Sequence, residues 1–160
     1  MSSFFDIYCL SNGRNEATVE RFLQYFCYWE HLEPLPEMWI QVSPSEKYYV
    51  PEVELPLNSI AEMIDYAVRN PTHCFSFYSK DALRNDLKTV IIKFTYDGKV
   101  VFGISIEEWG NFPRARLLEA EIRIVTEAYK SYISVEYLPA NDEEEFYTDV
   151  AMWKDIGKNG

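Results

Sequence analysis

Two histidines and three cysteines are the residues from which nucleophilic or metal chemistry would have to be built in this 160-residue chain. His73 stands next to Cys74, a base beside a thiol, as a cysteine nucleophile requires. The pair opens the alternating run "CFSFYS", and neighbours on a strand point to opposite faces, so the two side chains are not expected to meet. Cys27 and His31 are spaced i, i+4, which a helix would bring together, but no acid is placed to orient the imidazole. Metal signatures fare no better. No H-E-x-x-H, Cys/His cluster or EF-hand spacing occurs, and "NDEEEF" lacks the alternation and glycine turn of a calcium loop. The glycines are isolated, without a G-x-G-x-x-G or Walker pattern to cradle phosphate. Carboxylate pairs for glycoside cleavage need only meet in space, so an acid-rich chain gives no specific signal for them. The expectation is a protein that is not an enzyme and uses no cofactor or metal.

Charge is the more informative feature. With 15 basic and 26 acidic residues the net charge is −11, which disfavours direct binding to nucleic-acid phosphates or anionic membranes. The acid is concentrated. Between Glu30 and Asp65 there are eight acidic residues against Lys47 alone, and between Glu136 and Asp155 seven against Lys154 alone. Aromatics lie within or beside both stretches: Trp39, Tyr48 and Tyr49 with Glu37, Glu52 and Glu54 in the first, and Tyr147 beside Asp142, Glu143, Glu144 and Glu145 in the second. Acid next to large aromatic anchors is what a basic protein partner would meet. For the second stretch a local explanation competes. Asp142 can cap a helix with Glu145 three residues on, and carboxylates in a first turn complement the helix dipole. That accounts for part of the cluster but not for four carboxylates in succession, which repel one another.

The elements that would position these residues can be read along the chain. "FFDIYCL" alternates as a strand, "SNGRN" turns, and Asn15 caps a helix whose Val19, Phe22, Leu23 and Phe26 form a core stripe. Tyr25, Tyr28, Trp29 and Leu32 repeat the same spacing on a neighbouring face. Proline-broken "MWIQV" and "KYYVPEVEL" read as edge strands or extended loop. Ser59 to Glu62 matches a capping box before a helix buried through Ile60, Met63, Ile64, Ala67 and Val68, ended by Asn70-Pro71. In "TVIIKFTYDGKVVFGISI" a two-residue turn at Asp97-Gly98 would split the apolar rows between two faces. A three-residue loop with Gly98 left-handed pairs Phe94 with Val100, Ile92 with Phe102 and Val90 with Ile104, all on one face, and is the register expected. Pro113 begins a long helix with Leu118, Ile122, Val125 and Tyr129 inward. The strand "YISVEYL", with Ile133, Val135 and Tyr137 on one side, and a last helix with Phe146, Val150 and Trp153 on one face complete the chain.

The predicted order β-α-β-β-α-β-β-β-α-β-α gives an α+β fold, a single domain over 1–160 with a largely antiparallel sheet, helices packed on one side, and a frayed tail at 155–160. The basic stretch "PRARLLEAEIR" reads as a solvated helix face with i, i+4 charge pairs. No apolar run approaches a membrane span, "MSSFFDIYCL" lacks the basic start of a signal peptide, and three widely spaced cysteines fit reduced, buried thiols in the cytoplasm.

The strand ending in "YCLSNGR", the helix "TVERFLQYF", the hairpin "KFTYDGKVVFGISI", the long helix and the closing "YISVEYLPANDEEEF" together resemble the small acidic α+β immunity proteins of bacterial polymorphic-toxin and contact-dependent inhibition systems. The resemblance is one of organisation and covers most of the chain. It implies a cytoplasmic protein that binds one cognate toxin domain and blocks it without a cofactor, and no functional residue carries over by position. The alternative is a non-catalytic adaptor, a homodimer joined through the Tyr25/Tyr28/Trp29/Leu32 face.

Overall fold

The computed structural model describes residues 4–28, 38–42, 53–57, 59–81, 83–84, 87–107, 112–135 and 139–154, with side chains at 38–42, 53–57 and 153–154 outside the description. The tail 155–160, Trp29, His31, Leu32 and Tyr137 lie outside the described residues. The elements are β1 (Phe4–Ser11), α1 (Glu16–Phe26), β2 (Met38–Val42), β3 (Val53–Leu57), α2 (Ile60–Arg69), β4 (Phe75–Ser79), β5 (Thr89–Phe94), β6 (Val100–Glu107), α3 (Phe112–Thr126), β7 (Lys130–Ser134) and α4 (Glu143–Asp149), which runs into a π-turn at Val150–Lys154. This is the expected order and an α+β fold. Five strands form one antiparallel sheet in the order β4-β5-β6-β1-β7, and β2 pairs antiparallel with β3 in a separate ribbon.

The hairpin takes the bulged register. Phe94 faces Val100, Ile92 faces Phe102 and Val90 faces Ile104, and all six are buried in one apolar cluster. Gly98 makes this possible by adopting φ 77°, open to glycine without strain. Phe5, Ile7 and Cys9 of β1, Phe75 and Phe77 of β4 and Ile133 of β7 join the same face. Over it lie Val19, Phe22, Leu23 and Phe26 of α1, Ile60, Met63, Ile64 and Ala67 of α2, and Leu118, Ile122 and Val125 of α3. The Phe22 and Phe102 rings meet at 4.7 Å. Val68, expected in the α2 stripe, is exposed.

The fourth helix departs from the one-sided arrangement. On the opposite face Tyr8, Leu10, Ile91, Val101 and Tyr132 form a second cluster, and α4 covers it with Phe146, 5.0 Å from the Tyr132 ring. The sequence basis is that β1 is apolar on both sides, with Tyr8 and Leu10 alternating against Ile7 and Cys9, so both faces need cover. Gly103 is part of that cover: a Cβ there would lie 3.0 Å from the Tyr8 ring and 2.5 Å from Ile91, so only glycine lets the tyrosine lie flat on β6.

Several boundaries differ from the periodicity. Helix α1 stops at Phe26 because Cys27 turns extended and bridges to Leu83. Tyr28 is therefore off α1, and of the expected aromatic face only Tyr25 stands on that helix among the described residues. Helix α3 starts at Phe112, one residue before Pro113, and closes at Thr126 with Glu127 left-handed at φ 55° and the Ala128 amide donating back to the Arg123 carbonyl. Tyr129 consequently leaves the inner stripe and faces solvent. Strand β7 begins at Lys130 and ends at Ser134, leaving Val135 exposed.

The caps are as expected: Asn15 Oδ1 accepts from the Thr18 amide at 3.2 Å and Ser59 Oγ from the Glu62 amide at 3.1 Å. Arg14, directly after the glycine of the "SNGRN" turn, has a larger role than its turn setting implies. Its guanidinium donates to the carbonyls of Ala67 and Asn70 at the end of α2, and to those of His73 and Thr95, at 2.5–2.9 Å. It thereby ties the helix C-terminus to the hairpin, and burial lowers its pKa to about 10. Cys9, Cys27 and Cys74 are free and buried. No helix among the described residues is long and apolar enough to cross a membrane.

Candidate functional site

The tip of the β5–β6 hairpin and the start of α4 build one surface. Within the loop, Thr95 Oγ1 donates to Asp97 Oδ1 at 2.5 Å and accepts from the Lys99 amide at 3.0 Å, which fixes the aspartate. Its other oxygen, Oδ2, accepts from the Glu143 amide at 2.9 Å, and the Tyr96 amide donates to the Asn141 carbonyl at 2.9 Å. Asp142 caps the same helix, accepting from the Glu145 amide at 2.7 Å. A residue 46 positions upstream thus supplies one of the acceptors that a helix start requires.

The remaining carboxylates divide by task. Glu145 turns back to accept from the Asn141 amide and from its side-chain nitrogen, both at 3.2 Å, a capping box displaced by one residue. Glu143 accepts from the Tyr129 hydroxyl at 2.8 Å and lies 3.7 Å from Lys99 Nζ. Glu144 is exposed. Helix-start chemistry therefore employs Asp142 and Glu145, Glu143 is engaged by Tyr129 and Lys99, and Glu144 is the one without such a duty. All the same, five carboxylates with Asp97 crowd a small area that holds two lysines.

Those lysines lie against tyrosines: Lys99 Nζ is 5.7 Å from the Tyr129 ring centre and Lys130 Nζ 5.8 Å from that of Tyr147. Tyr129 is 37% exposed and Tyr147 43%. Burial, the hydrogen bond to Glu143 and the nearby charges of Glu143, Tyr147 and Asp97 push the Tyr129 hydroxyl up, so it stays a neutral donor. The result is two half-open aromatic rings set in carboxylates whose positions are fixed by backbone hydrogen bonds.

Of the residues expected to bind a partner, Asp142, Glu143, Glu144, Glu145 and Tyr147 are brought together here. Trp39 and Glu54 lie on the paired strands β2 and β3, opposite Pro56 and Gln41, with their side chains outside the description. Glu37, Tyr48, Tyr49 and Glu52 lie outside the described residues. Asp97, Lys99 and Tyr129 were not legible as members. Asp97 reads as a turn residue and Tyr129 as a helix-core position, and only the long-range packing of α4 on the hairpin joins them.

The His73–Cys74 pair does not assemble, and His31, the candidate partner of Cys27, lies outside the described residues. His73 Nδ1 hydrogen-bonds the Tyr66 hydroxyl at 2.7 Å, whereas Cys74 Sγ points to Asn141 Oδ1 at 3.8 Å. Burial and the Arg14 charge lower the His73 pKa. Burial pushes the Cys27 thiol up to about 12, in spite of Arg84, and raises Cys9 as well, which suppresses the thiolate form. Among the described residues no group of three His, Cys, Asp or Glu side chains is placed to hold a metal ion. Comparison with known protein families, with curated proteins and with solved structures gives no match for this chain.

Proposed function

We propose that this chain is a protein-binding domain whose acidic, tyrosine-bearing rim receives a basic protein, and that it serves as a cytoplasmic immunity protein neutralising a cognate bacterial toxin domain. The observation that carries the reading is the pair Tyr129 and Tyr147, half-exposed among carboxylates of which Asp97, Asp142 and Glu145 are fixed by capping bonds and Glu143 by Tyr129 itself. Tyrosine supplies contact area at low entropic cost, and a preorganised rim loses little freedom on binding. A toxin that attacks nucleic acid needs a basic cleft, and a carboxylate rim accelerates encounter with it and disfavours other partners. No cofactor is required. The proposed contact set is Asp97, Tyr129, Asp142, Glu143, Glu144, Glu145 and Tyr147, together with Glu37, Trp39, Tyr48, Tyr49, Glu52 and Glu54 from the first acidic stretch.

Co-expression tests this. The C-terminal domain encoded by the adjacent upstream gene should arrest growth alone and not when produced with this chain. Glu144→Lys combined with Tyr147→Ala, both at exposed positions, should abolish protection. Full protection by that variant would remove these residues from the contact.

A second reading, a homodimer, is favoured by a different face from the one the spacing picks out. Pro113, Leu117, Ala120 and Ile124 fall at i, i+4, i+7 and i+11 along the outside of α3, with Leu117 62% and Ile124 77% exposed. Light scattering decides it: a mass independent of concentration and equal to 18.9 kDa excludes the dimer.

A further inference from the structure

We propose that the cleft between the end of α1, Arg84 with Leu87, and the start of α3 binds a small organic anion, a carboxylate or phosphate carried on an aromatic body. The cleft holds about 240 Å³ and is lined by Tyr25, Phe26, Arg84, Leu87, Arg114, Leu118 and Glu121. This site is separate from the acidic rim and does not depend on the function proposed for it.

Arg84 is the main reason. Its amide donates to the Phe26 carbonyl at 3.0 Å, its Nε to the Cys27 carbonyl at 3.1 Å, and its guanidinium lies 4.5 Å from the Tyr28 ring centre. The arginine is thus fixed by its inner nitrogen and its flat face, while no carboxylate among the described residues pairs with its outer fork. A guanidinium held in this way presents two parallel N–H donors, the geometry that matches carboxylate and phosphate oxygens. Arg114 brings a second cation to the same space from the first turn of α3, which contains no acidic residue.

The rim defines the rest of the ligand. Phe26, Leu87 and Leu118 are buried apolar residues, and Tyr25 stands exposed at the rim. Those three are too enclosed to be covered further, so the apolar contact left to a ligand is the Tyr25 ring, against which an aryl group can stack. Glu121 faces the cleft too, so the described lining carries two arginines against one carboxylate, the reverse of the balance in a molecule at −11.

The test is a titration of the full chain, followed by amide and arginine side-chain NMR, with benzoate, phenyl phosphate, inorganic phosphate and neutral benzamide. Benzoate or phenyl phosphate should bind with Kd about 1 mM or tighter and shift Tyr25, Arg84, Leu87 and Leu118. Saturation by benzoate alone assigns a carboxylate, and by phenyl phosphate alone a phosphate. Inorganic phosphate should bind about twofold more weakly than phenyl phosphate, since little apolar area is open in the cleft. Arg84→Lys keeps the charge without the fork and should weaken binding about tenfold, as should Arg114→Gln. Glu121→Gln should tighten it about threefold by removing a like charge. Absence of binding by both aryl anions, equal binding of benzamide, or unchanged affinity in the folded Arg84→Lys and Arg114→Gln variants would overturn the proposal.

Discussion

The two faces of the sheet are built to different standards. One is a continuous apolar layer covered by three helices, in which Phe22, Phe77, Phe94 and Phe102 are fully enclosed. The other is a small aromatic cluster under one seven-residue helix, bordered by buried Asp6, Ser105 and Asp149. Burial raises the Asp6 pKa, and its hydrogen bond from Ser105 at 2.5 Å only partly counters that. A helix of seven residues is not stable alone, so α4 is held by Phe146 and by the hairpin tip that caps it. The difference teaches that the first face secures the fold, while the second fixes the position of a helix start and so of the acidic rim.

The largest effect expected is on the first face. Phe102→Ala should lower the unfolding free energy by about 3–5 kcal/mol, seen as loss of the whole cooperative transition to lower denaturant. Phe146→Ala should cost less, about 2 kcal/mol, because α4 can detach while the sheet stays intact. Hydrogen exchange would then show lost protection at 142–149 and at the Tyr96 amide, with β1, β5 and β6 still protected. If Phe146→Ala melts the sheet amides as well, the two faces form a single cooperative unit and the contrast fails.

A smaller effect is expected with pH at the seam where Arg14 joins α2 to the hairpin. His73 is lowered below 6.5 in the folded chain, by burial first and Arg14 second. The unfolded chain therefore takes up the proton more readily, and stability that is whole above pH 6.5 declines as pH falls through the folded value. His73→Gln should flatten this slope in thermal melts between pH 7 and 5 relative to the parent chain. An unchanged slope would show that carboxylates alone govern it.

How much of this could be read from residue order depends on the range of the interactions. The hairpin register was legible because Phe94, Ile92 and Val90 can share a face with Val100, Phe102 and Ile104 in only one alignment around Gly98. The caps at Asn15, Ser59 and Asp142 were legible because each bonds an amide three residues away. The end of α1 was not, since the apolar spacing continues past Phe26 and the stop comes from Leu83. The duties of the carboxylates were hidden for the same reason, with Asp97 and Tyr129 reaching Glu143 across the fold. Arg14 sits in a turn by composition, yet its four acceptors lie 53–81 residues away. Arg114 reads as part of a solvated helix face until the chain brings it beside Arg84.

Calorimetric titration of the purified chain with the basic toxin domain proposed as its partner, at low and physiological salt, tests the acidic rim most directly. Affinity should weaken with salt and fall by at least about tenfold when Tyr147→Ala and Glu144→Lys are combined. Affinity indifferent to both salt and that double substitution would contradict the proposal.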